Sequence, residues 1–182
     1  MKRKFLFAAV IALSLFSSDV FAQKSSDFKD VTGTNFLNAG IGLGSYGLSG
    51  TGGLPVTVSF EHGFSKNISA GVEAGLIQRK FAIDWKYSYV VFGARGSYHL
   101  NEALKITSPQ LDVYGGAGLF YRHFKVKYND KTEDDFDFKS SGGDVVFDLH
   151  AGARYMFSEK LGAYAELGYG ISPLKLGVSL KF

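Results

Sequence analysis

The chain has 182 residues, of which 46% are hydrophobic and 23 are glycine, and it contains no cysteine. The apolar fraction excludes a disordered chain, and the lack of cysteine excludes disulfide scaffolds, thiol catalysis and cysteine-ligated zinc. Twenty Lys and Arg residues against 17 Asp and Glu give a net charge of +3. That excess is too small to suggest a nucleic-acid partner, and we expect none.

The first 22 residues have the layout of a secretory signal peptide. Lys2–Lys4 is basic, residues 5–16 form a short apolar run, and Val20–Ala22 offers a cleavage site. The alternative is an N-terminal membrane anchor, but spanning a bilayer takes about 20 apolar residues. We predict a signal peptide over residues 1–22, a short periplasmic segment over residues 23–33 and one barrel domain over residues 34–182.

Beyond Gly33, apolar residues recur at every second position, which is typical of strands with one apolar face. In the third such segment, Val72 and Ala74 alternate with Glu73 and Gly75. No helical pattern separates the segments, so we predict an all-β, antiparallel, up-and-down topology. Each segment is long enough to cross a bilayer as a tilted strand, which takes about 9–11 residues. The eight segments begin near Leu37, Leu54, Ile68, Val90, Leu111, Val145, Leu161 and Leu174.

The apolar face carries no charge in any segment, whereas the other face combines glycine with charges of both signs. A soluble barrel would turn the apolar face inward, and a membrane barrel turns it toward lipid. Aromatic residues at the segment ends, such as Tyr121 and Tyr169, suit the two membrane interfaces. We therefore predict an eight-stranded transmembrane β-barrel. The inward-facing charges are Glu61, Glu73, Arg95, Asp112, Asp148, Arg154, Glu166 and Lys175.

These charges are expected to form an interlocked network inside the barrel. Eight strands leave an interior just wide enough for side chains to fill. A charge buried there without a partner would cost several kcal/mol, which favours paired acids and bases. The alternative is that the charges line a narrow channel for ions or small solutes.

The C-terminal residues carry a motif of their own. Lys175, Gly177, Leu180 and Phe182 are spaced as in the insertion signal of bacterial outer-membrane proteins, which this segment resembles. Residues 34–182 as a whole resemble the small eight-stranded barrels of the OmpA/OmpX-like superfamily. The resemblance implies the outer membrane of a Gram-negative-type bacterium, contact with lipid and lipopolysaccharide, and insertion by the outer-membrane assembly machinery.

Two groups of residues resemble catalytic or cofactor-binding patterns. Ser97, His99, Asp112, Asp148 and His150 contain the residue types of a Ser-His-Asp hydrolase, so a lipid A-modifying hydrolase is a further hypothesis. Ser97 and His99 point inward, away from the outer leaflet, and we expect no enzymatic activity. Residues 42–47 match G-x-G-x-x-G, but a strand follows where a dinucleotide site needs a helix, so we expect no cofactor.

An acidic stretch is predicted as an outer surface loop. Its carboxylates could bind Ca²⁺, but they lack the spacing of an EF-hand, so we expect no metal site. Exposed phenylalanine in this loop would suit a protein partner. We expect a non-enzymatic structural or interaction role through surface loops, lipopolysaccharide contact or membership of an envelope complex with another protein. The loop residues are Asp130, Glu133, Asp134, Asp135, Phe136 and Asp137.

Overall fold

The computed structural model describes residues 28–46, 51–81, 85–129 and 137–182. Within them lie eight long strands and a two-residue strand, Thr51–Gly52, which pairs with the long strand Ile68–Phe81. None of the described residues belongs to a helix long and apolar enough to cross a membrane. The long strands are β1 Asn35–Leu43, β2 Val56–Ser65, β3 Ile68–Phe81, β4 Trp85–His99, β5 Leu111–Asn129, β6 Asp137–Met156, β7 Leu161–Tyr169 and β8 Leu174–Lys181.

The eight strands close into one barrel. Each strand pairs antiparallel with the next along the chain, and β1 pairs with β8 as well as with β2. Leu37 thus lies opposite Phe60 on one side and Leu180 on the other. A closed ladder supplies hydrogen-bond partners for the backbone groups, which a hydrocarbon environment requires. The predicted eight-stranded, antiparallel, up-and-down barrel is confirmed.

The strands differ greatly in length. β1 and β7 have 9 residues and β8 has 8, whereas β5 has 19 and β6 has 20. Strands β3 to β6 therefore project beyond the rest of the barrel at one end. Asp137, which was predicted to lie in the acidic surface loop, is instead the first residue of β6, and Tyr128 pairs with Phe138 at the end of the β5–β6 hairpin. The apolar alternation ends sooner because it marks the part of each strand whose outer face meets lipid, while the hydrogen-bonded ladder continues.

The two faces of the sheet follow the predicted alternation. Val72, on the outer face of β3, is 59% exposed, while its neighbour Glu73 is 3% exposed. Outer positions of the other strands are also exposed and apolar, including Val58, Phe92 and Leu167. Since a β-strand alternates its side chains between faces, the charges lie inside and the apolar residues outside.

An apolar layer closes the barrel at the end with the short turns. It consists of Phe28, Val31, Phe36 and Met156, each at most 3% exposed. The segment before β1 folds across this mouth, and the amide of Val31 donates to the carbonyl of Lys66 at 3.0 Å. The phenyl rings of Phe28 and Phe36 stack 6.2 Å apart. Residues preceding the barrel thus form part of its core.

A second apolar layer lies toward the end with the long hairpins. Ile77, Val91, Phe120 and Ile171 pack together there and are at most 4% exposed. Ile171 comes from the short connection between β7 and β8. The neighbouring Ser172 hydroxyl donates to the carbonyl of Gly44 at 2.9 Å, which holds this connection against the barrel rim. The charged interior therefore lies between two apolar layers.

Candidate functional site

The centre of the lumen is organised by one guanidinium group. Arg95, on β4, receives carboxylates from three other strands. Its Nε lies 3.2 Å from Glu61 Oε1, its Nη2 donates to Glu166 Oε2 at 2.7 Å, and its Nη1 pairs with Glu73 Oε2. All four side chains are 2% exposed. The planar, five-donor guanidinium suits this role, since it can bind several carboxylates at once.

Lys175 supplies the second cation of the cluster. Its ammonium group donates to Glu73 Oε1 at 2.8 Å and also pairs with Glu166 Oε1. The hydroxyl of Tyr114 donates to Glu166 Oε2 at 3.2 Å. Glu73 and Glu166 are thus each held by both Arg95 and Lys175. The resulting network joins β2, β3, β4, β5, β7 and β8 across the barrel interior.

A second ionic group lies next to the apolar layer at the short-turn end. Asp112 accepts a hydrogen bond from Arg154 Nη1 at 2.6 Å, and its other oxygen lies 2.8 Å from His99 Nδ1. The Arg154 guanidinium is stacked over the ring of Phe36, 4.1 Å from its centroid. It is also 5.0 Å from the ring centroid of Tyr114. The aromatic faces therefore cover the cation where no carboxylate does.

Within the described part of the chain, the lumen contains two hydrogen-bonded Ser-His-Asp groups. In the first, His150 Nδ1 lies 2.6 Å from Asp148 Oδ2, and His150 Nε2 lies 3.0 Å from Ser97 Oγ. All three residues belong to the candidate hydrolase set predicted from the sequence, but the sequence does not indicate which histidine lies beside which serine. The structure pairs Ser97 with His150, on a strand far from it in sequence.

The second series contains a serine that sequence reasoning did not single out. Ser69 Oγ lies 3.0 Å from His99 Nε2, and His99 in turn contacts Asp112. The hydroxyls of Ser69 and Ser97 both donate to Glu61 Oε2, at 2.9 and 2.7 Å. The inward alternation of β3 was the signal that could have identified Ser69.

This geometry ties strands together and offers little access to a substrate. Ser69 is 0% exposed and Ser97 is 3% exposed, with each hydroxyl directed at a carboxylate. A catalytic nucleophile needs space beside it for a reacting carbonyl and an oxyanion. Among the residues that the structure describes, no group of three or more His, Cys, Asp or Glu side chains is placed to hold a metal ion.

Glycines on the inner face make room for the tyrosines that cross the lumen. A Cβ at Gly152 would lie 2.7 Å from the hydroxyl oxygen of Tyr114. A Cβ at Gly40 would lie 2.5 Å from that of Tyr164, and one at Gly177 would lie 2.7 Å from the ring of Tyr164. These contacts explain the glycines at positions 40, 152 and 177, because a larger residue there would displace a tyrosine ring.

The four motif residues at the C-terminus have different surroundings. Lys175 belongs to the central ion network, and Gly177 faces Tyr164. Leu180 pairs with Leu37 on β1, and Phe182 is 38% exposed. Their role as an insertion signal stays a prediction. The predicted signal peptide and Asp130, Glu133, Asp134, Asp135 and Phe136 of the acidic loop lie outside the described residues.

Solved structures that share this architecture include three bacterial outer-membrane proteins. The N-terminal β-barrel domain of OprF from Pseudomonas aeruginosa is 15% identical, with a TM-score of 0.57 over 83% of this chain and 98% of that one. OprG from the same organism is 13% identical, with a TM-score of 0.55 over 86% and 99%. Ail, the attachment invasion locus protein of Yersinia pestis, is 14% identical, with a TM-score of 0.50 over 83% and 99%. At these identities the likeness establishes the fold.

Sequence comparison gives the family. No curated protein matches the chain. A family model described as the outer membrane protein beta-barrel domain matches residues 8–180, which is nearly the whole chain. The closed barrel, its apolar outer face and this match agree with a place in the outer membrane of a Gram-negative-type bacterium. The chain therefore belongs to the outer membrane protein beta-barrel domain family.

Proposed function

We propose that this protein is a closed, non-enzymatic barrel that anchors a projecting β-sheet at the cell surface, where it has a structural or interaction role. The observation that carries the proposal is the filled lumen. Every predicted inner charge, from Glu61 to Lys175, is at most 4% exposed and lies between two apolar layers. Such an interior supports a rigid anchor better than a pathway for solutes.

The long strands supply the surface to be presented. In outer-membrane barrels the short turns face the periplasm and the long connections face outside. Strands β5 and β6, with 19 and 20 residues, exceed the about 9–11 residues that cross the membrane. The excess favours a sheet that stands above the outer leaflet and can contact lipopolysaccharide or another envelope protein.

The two alternative functions have less support. A narrow channel would need a continuous water path through Phe28, Phe36, the ion network and Phe120, and these side chains are nearly fully buried. A lipid A-modifying hydrolase would need a serine reachable from the outer leaflet, whereas Ser69 and Ser97 are buried in the lumen. The insertion machinery remains a proposed partner, argued from the C-terminal motif.

Site-directed labelling in living cells tests the orientation. Ser141, on the projecting part of β6, and Ser158, in the turn after β6, are both exposed and can each be replaced by cysteine in a chain that has no other cysteine. We expect a membrane-impermeant maleimide to label Ser141→Cys in intact cells. Ser158→Cys should be labelled only after the outer membrane is permeabilised. The reverse pattern would contradict the proposal.

Mass spectra of lipid A test the non-enzymatic role. Cells with and without the protein should give identical lipid A masses. A mass change that appears with the wild-type chain and disappears with the Ser97→Ala variant would instead establish the hydrolase. Ser69→Ala is the matched comparison, because Ser69 makes the same pair of contacts with a histidine and Glu61.

A further inference from the structure

We propose that the closed lumen stores two protons, one on His99 and one on His150, and that their release at alkaline pH loosens the barrel interior. Both histidines are buried, at 1% and 5% exposure, and each belongs to one of the two Ser-His-Asp groups. The proposal concerns the interior alone, so it does not rest on the orientation of the barrel in the membrane.

The hydroxyl groups of Ser69 and Ser97 determine what the histidine Nε2 atoms can do. A serine hydroxyl has one hydrogen to donate. Both hydroxyls donate it to Glu61 Oε2, at 2.9 and 2.7 Å. Glu61 accepts as a carboxylate, since its other oxygen lies 3.2 Å from Arg95 Nε. The serine oxygens therefore present only lone pairs to the two histidine Nε2 atoms, each 3.0 Å away, and each Nε2 must carry a hydrogen.

The other nitrogen of each histidine ring faces a carboxyl group. His99 Nδ1 lies 2.8 Å from Asp112, and His150 Nδ1 lies 2.6 Å from Asp148. Asp112 is ionised, because its second oxygen accepts a hydrogen bond from Arg154 Nη1. An ionised carboxylate can only accept, so Nδ1 must donate as well. A histidine that donates from both ring nitrogens is an imidazolium cation, and the matching contacts of the two groups assign this state to both histidines.

The charges between the two apolar layers balance when both histidines are cations. Five buried carboxylates face three permanent cations there, and two imidazolium groups make the numbers equal. Lys181 lies at the short-turn mouth instead, 4.8 Å from the ring centroid of Phe28, where it interacts with the exposed Glu159 and with Asp112. Because an unpaired buried charge is costly, a balanced interior is favoured. The carboxylates are Glu61, Glu73, Asp112, Asp148 and Glu166, and the permanent cations are Arg95, Arg154 and Lys175.

Tyr114 lies between the two histidines. Its ring centroid is 6.1 Å from that of His99 and 6.3 Å from that of His150. The hydroxyl of Tyr114 donates to Glu166, on the strand that pairs with that of His150. The ring of Phe36 stacks on His99 from the other side, at 5.6 Å. A change in the charge of either histidine is thus felt by the central ion network.

Release of a proton would rearrange these hydrogen bonds. The imidazolium gives its Nε2 proton to water, and the neutral ring then has a nitrogen that can only accept. The serine hydroxyl turns from Glu61 to that nitrogen, so Glu61 loses a donor. At the same time Asp112 or Asp148 is left beside a neutral ring in place of a cation. Because Glu61 also binds Arg95, the loss reaches the central network and loosens it.

Nitrogen-15 NMR of the histidine side chains in the folded full chain tests the charge directly. At about pH 8 an exposed histidine is neutral and has one bare ring nitrogen. We expect His99 and His150 to have two protonated nitrogens at that pH, assigned with the single variants His99→Gln and His150→Gln. The controls are His62, whose Nδ1 contacts the amide oxygen of Asn35, and His123, and each should have a bare nitrogen. A bare nitrogen on His99 or His150 would overturn the proposal.

The pH dependence of stability is a second readout. Above about pH 6.5 the unfolded chain has lost its histidine protons while the folded barrel keeps two, so the barrel becomes less stable as the pH rises. In urea titrations in lipid vesicles, the wild-type unfolding equilibrium constant should rise by up to about a hundredfold per pH unit, about tenfold for each proton. Either single variant, His99→Gln or His150→Gln, should show at most about a tenfold rise per pH unit.

A matched control separates the stored protons from other titrating groups. The chain that combines His62→Gln and His123→Gln should keep the wild-type pH dependence, whereas the chain that combines His99→Gln and His150→Gln should lose it. A wild-type equilibrium constant that does not change between about pH 7 and 9 would overturn the proposal. The same dependence in both double variants would also overturn it. The NMR measurement uses the wild-type chain, so it decides the question even if a variant fails to fold.

Discussion

At the scale of single residues, the lumen shows what sequence alone can and cannot predict. Alternation assigned Glu61, Glu73 and Arg95 to the inner face, and the structure buries all three. The alternation did not predict which charges pair with each other, because ion pairing depends on the register between strands that are distant in sequence. Arg95 meets Glu166, 71 residues away, only once the barrel has closed.

Removing the central guanidinium should destabilise the barrel strongly. In Arg95→Met, Glu61, Glu73 and Glu166 lose a shared cation while remaining buried, which should cost about 3–5 kcal/mol of unfolding free energy. The matched control is Arg122→Met. Arg122 pairs with Asp144 at 2.6 Å, but the two side chains are 28% and 45% exposed, so the loss should stay below about 1 kcal/mol. Urea titrations in lipid vesicles measure the unfolding free energy of both variants. Equal losses in the two variants would contradict a stabilising role of the Arg95 network.

A surface pair between two short turns gives a pH-dependent prediction. The hydrogen bond that Lys66 donates to Glu102 at 2.7 Å lowers the pKa of the Glu102 carboxyl, with a smaller contribution from Asn67. A carboxyl with a lowered pKa stabilises the fold above its usual pKa and loses that contribution as the pH falls through the lowered value. In Lys66→Gln the pKa of Glu102 should rise toward its usual range, as measured by NMR titration. An unchanged pKa would show that the pair does not form in solution.

At the scale of elements, strand existence was predictable and strand length was not. The alternation in residues 111–121 ends where lipid ends, yet β5 continues to Asn129. Beyond Tyr121 the next two outer positions are His123 and Lys125 rather than apolar residues, so the apolar pattern gives no signal there, although the backbone ladder continues. The segment from Phe28 to Gly33 was not recognised as a contributor to the core for a related reason. Its two buried apolar residues, Phe28 and Val31, are not spaced with the two-residue period of a strand.

Among the residues that the structure describes, the part of β6 that precedes Leu149 pairs on one side only, with β5. β7 pairs only with Leu149–Met156, whereas β5 pairs along the whole of β6. In an antiparallel pair, alternate amides point away from the partner strand. We expect alternate amides from Ser140 to Asp148 to exchange rapidly with deuterium, while those of Leu149–Met156 are protected on both sides. If all amides from Ser140 to Asp148 were protected from exchange, another strand would have to pair with this edge of β6.

At the scale of the whole molecule, stability and orientation follow from an inside-out distribution of polarity. The apolar residues that would form the core of a soluble barrel face lipid, and the core consists of paired charges, tyrosines and two apolar layers. This distribution was predictable because the apolar face lacks charge in every segment. The apolar layers were not, since Ile171 and Phe28 reach the lumen from connections rather than strands.

The loss of unfolding free energy caused by a charged substitution on the outer face should therefore depend on how deep the position lies in the bilayer. Val72 is 59% exposed in the middle of β3, and Val72→Arg should cost about 2–4 kcal/mol of unfolding free energy in vesicles. Val145 is 71% exposed and pairs with Tyr121 near the outer interface, so Val145→Arg should cost about 0–1 kcal/mol. Equal costs at the two positions would contradict the placement of the barrel in the bilayer.

The closed lumen is tested most directly by single-channel recording of the purified full chain in planar lipid bilayers. The paired charges around Arg95 lie between the apolar layers that contain Phe36 and Phe120, which leaves no open path for ions. We therefore predict no stable ohmic conductance across the voltage range that the bilayer withstands. Steady, uniform conductance steps that scale linearly with voltage would contradict this account and establish an open channel.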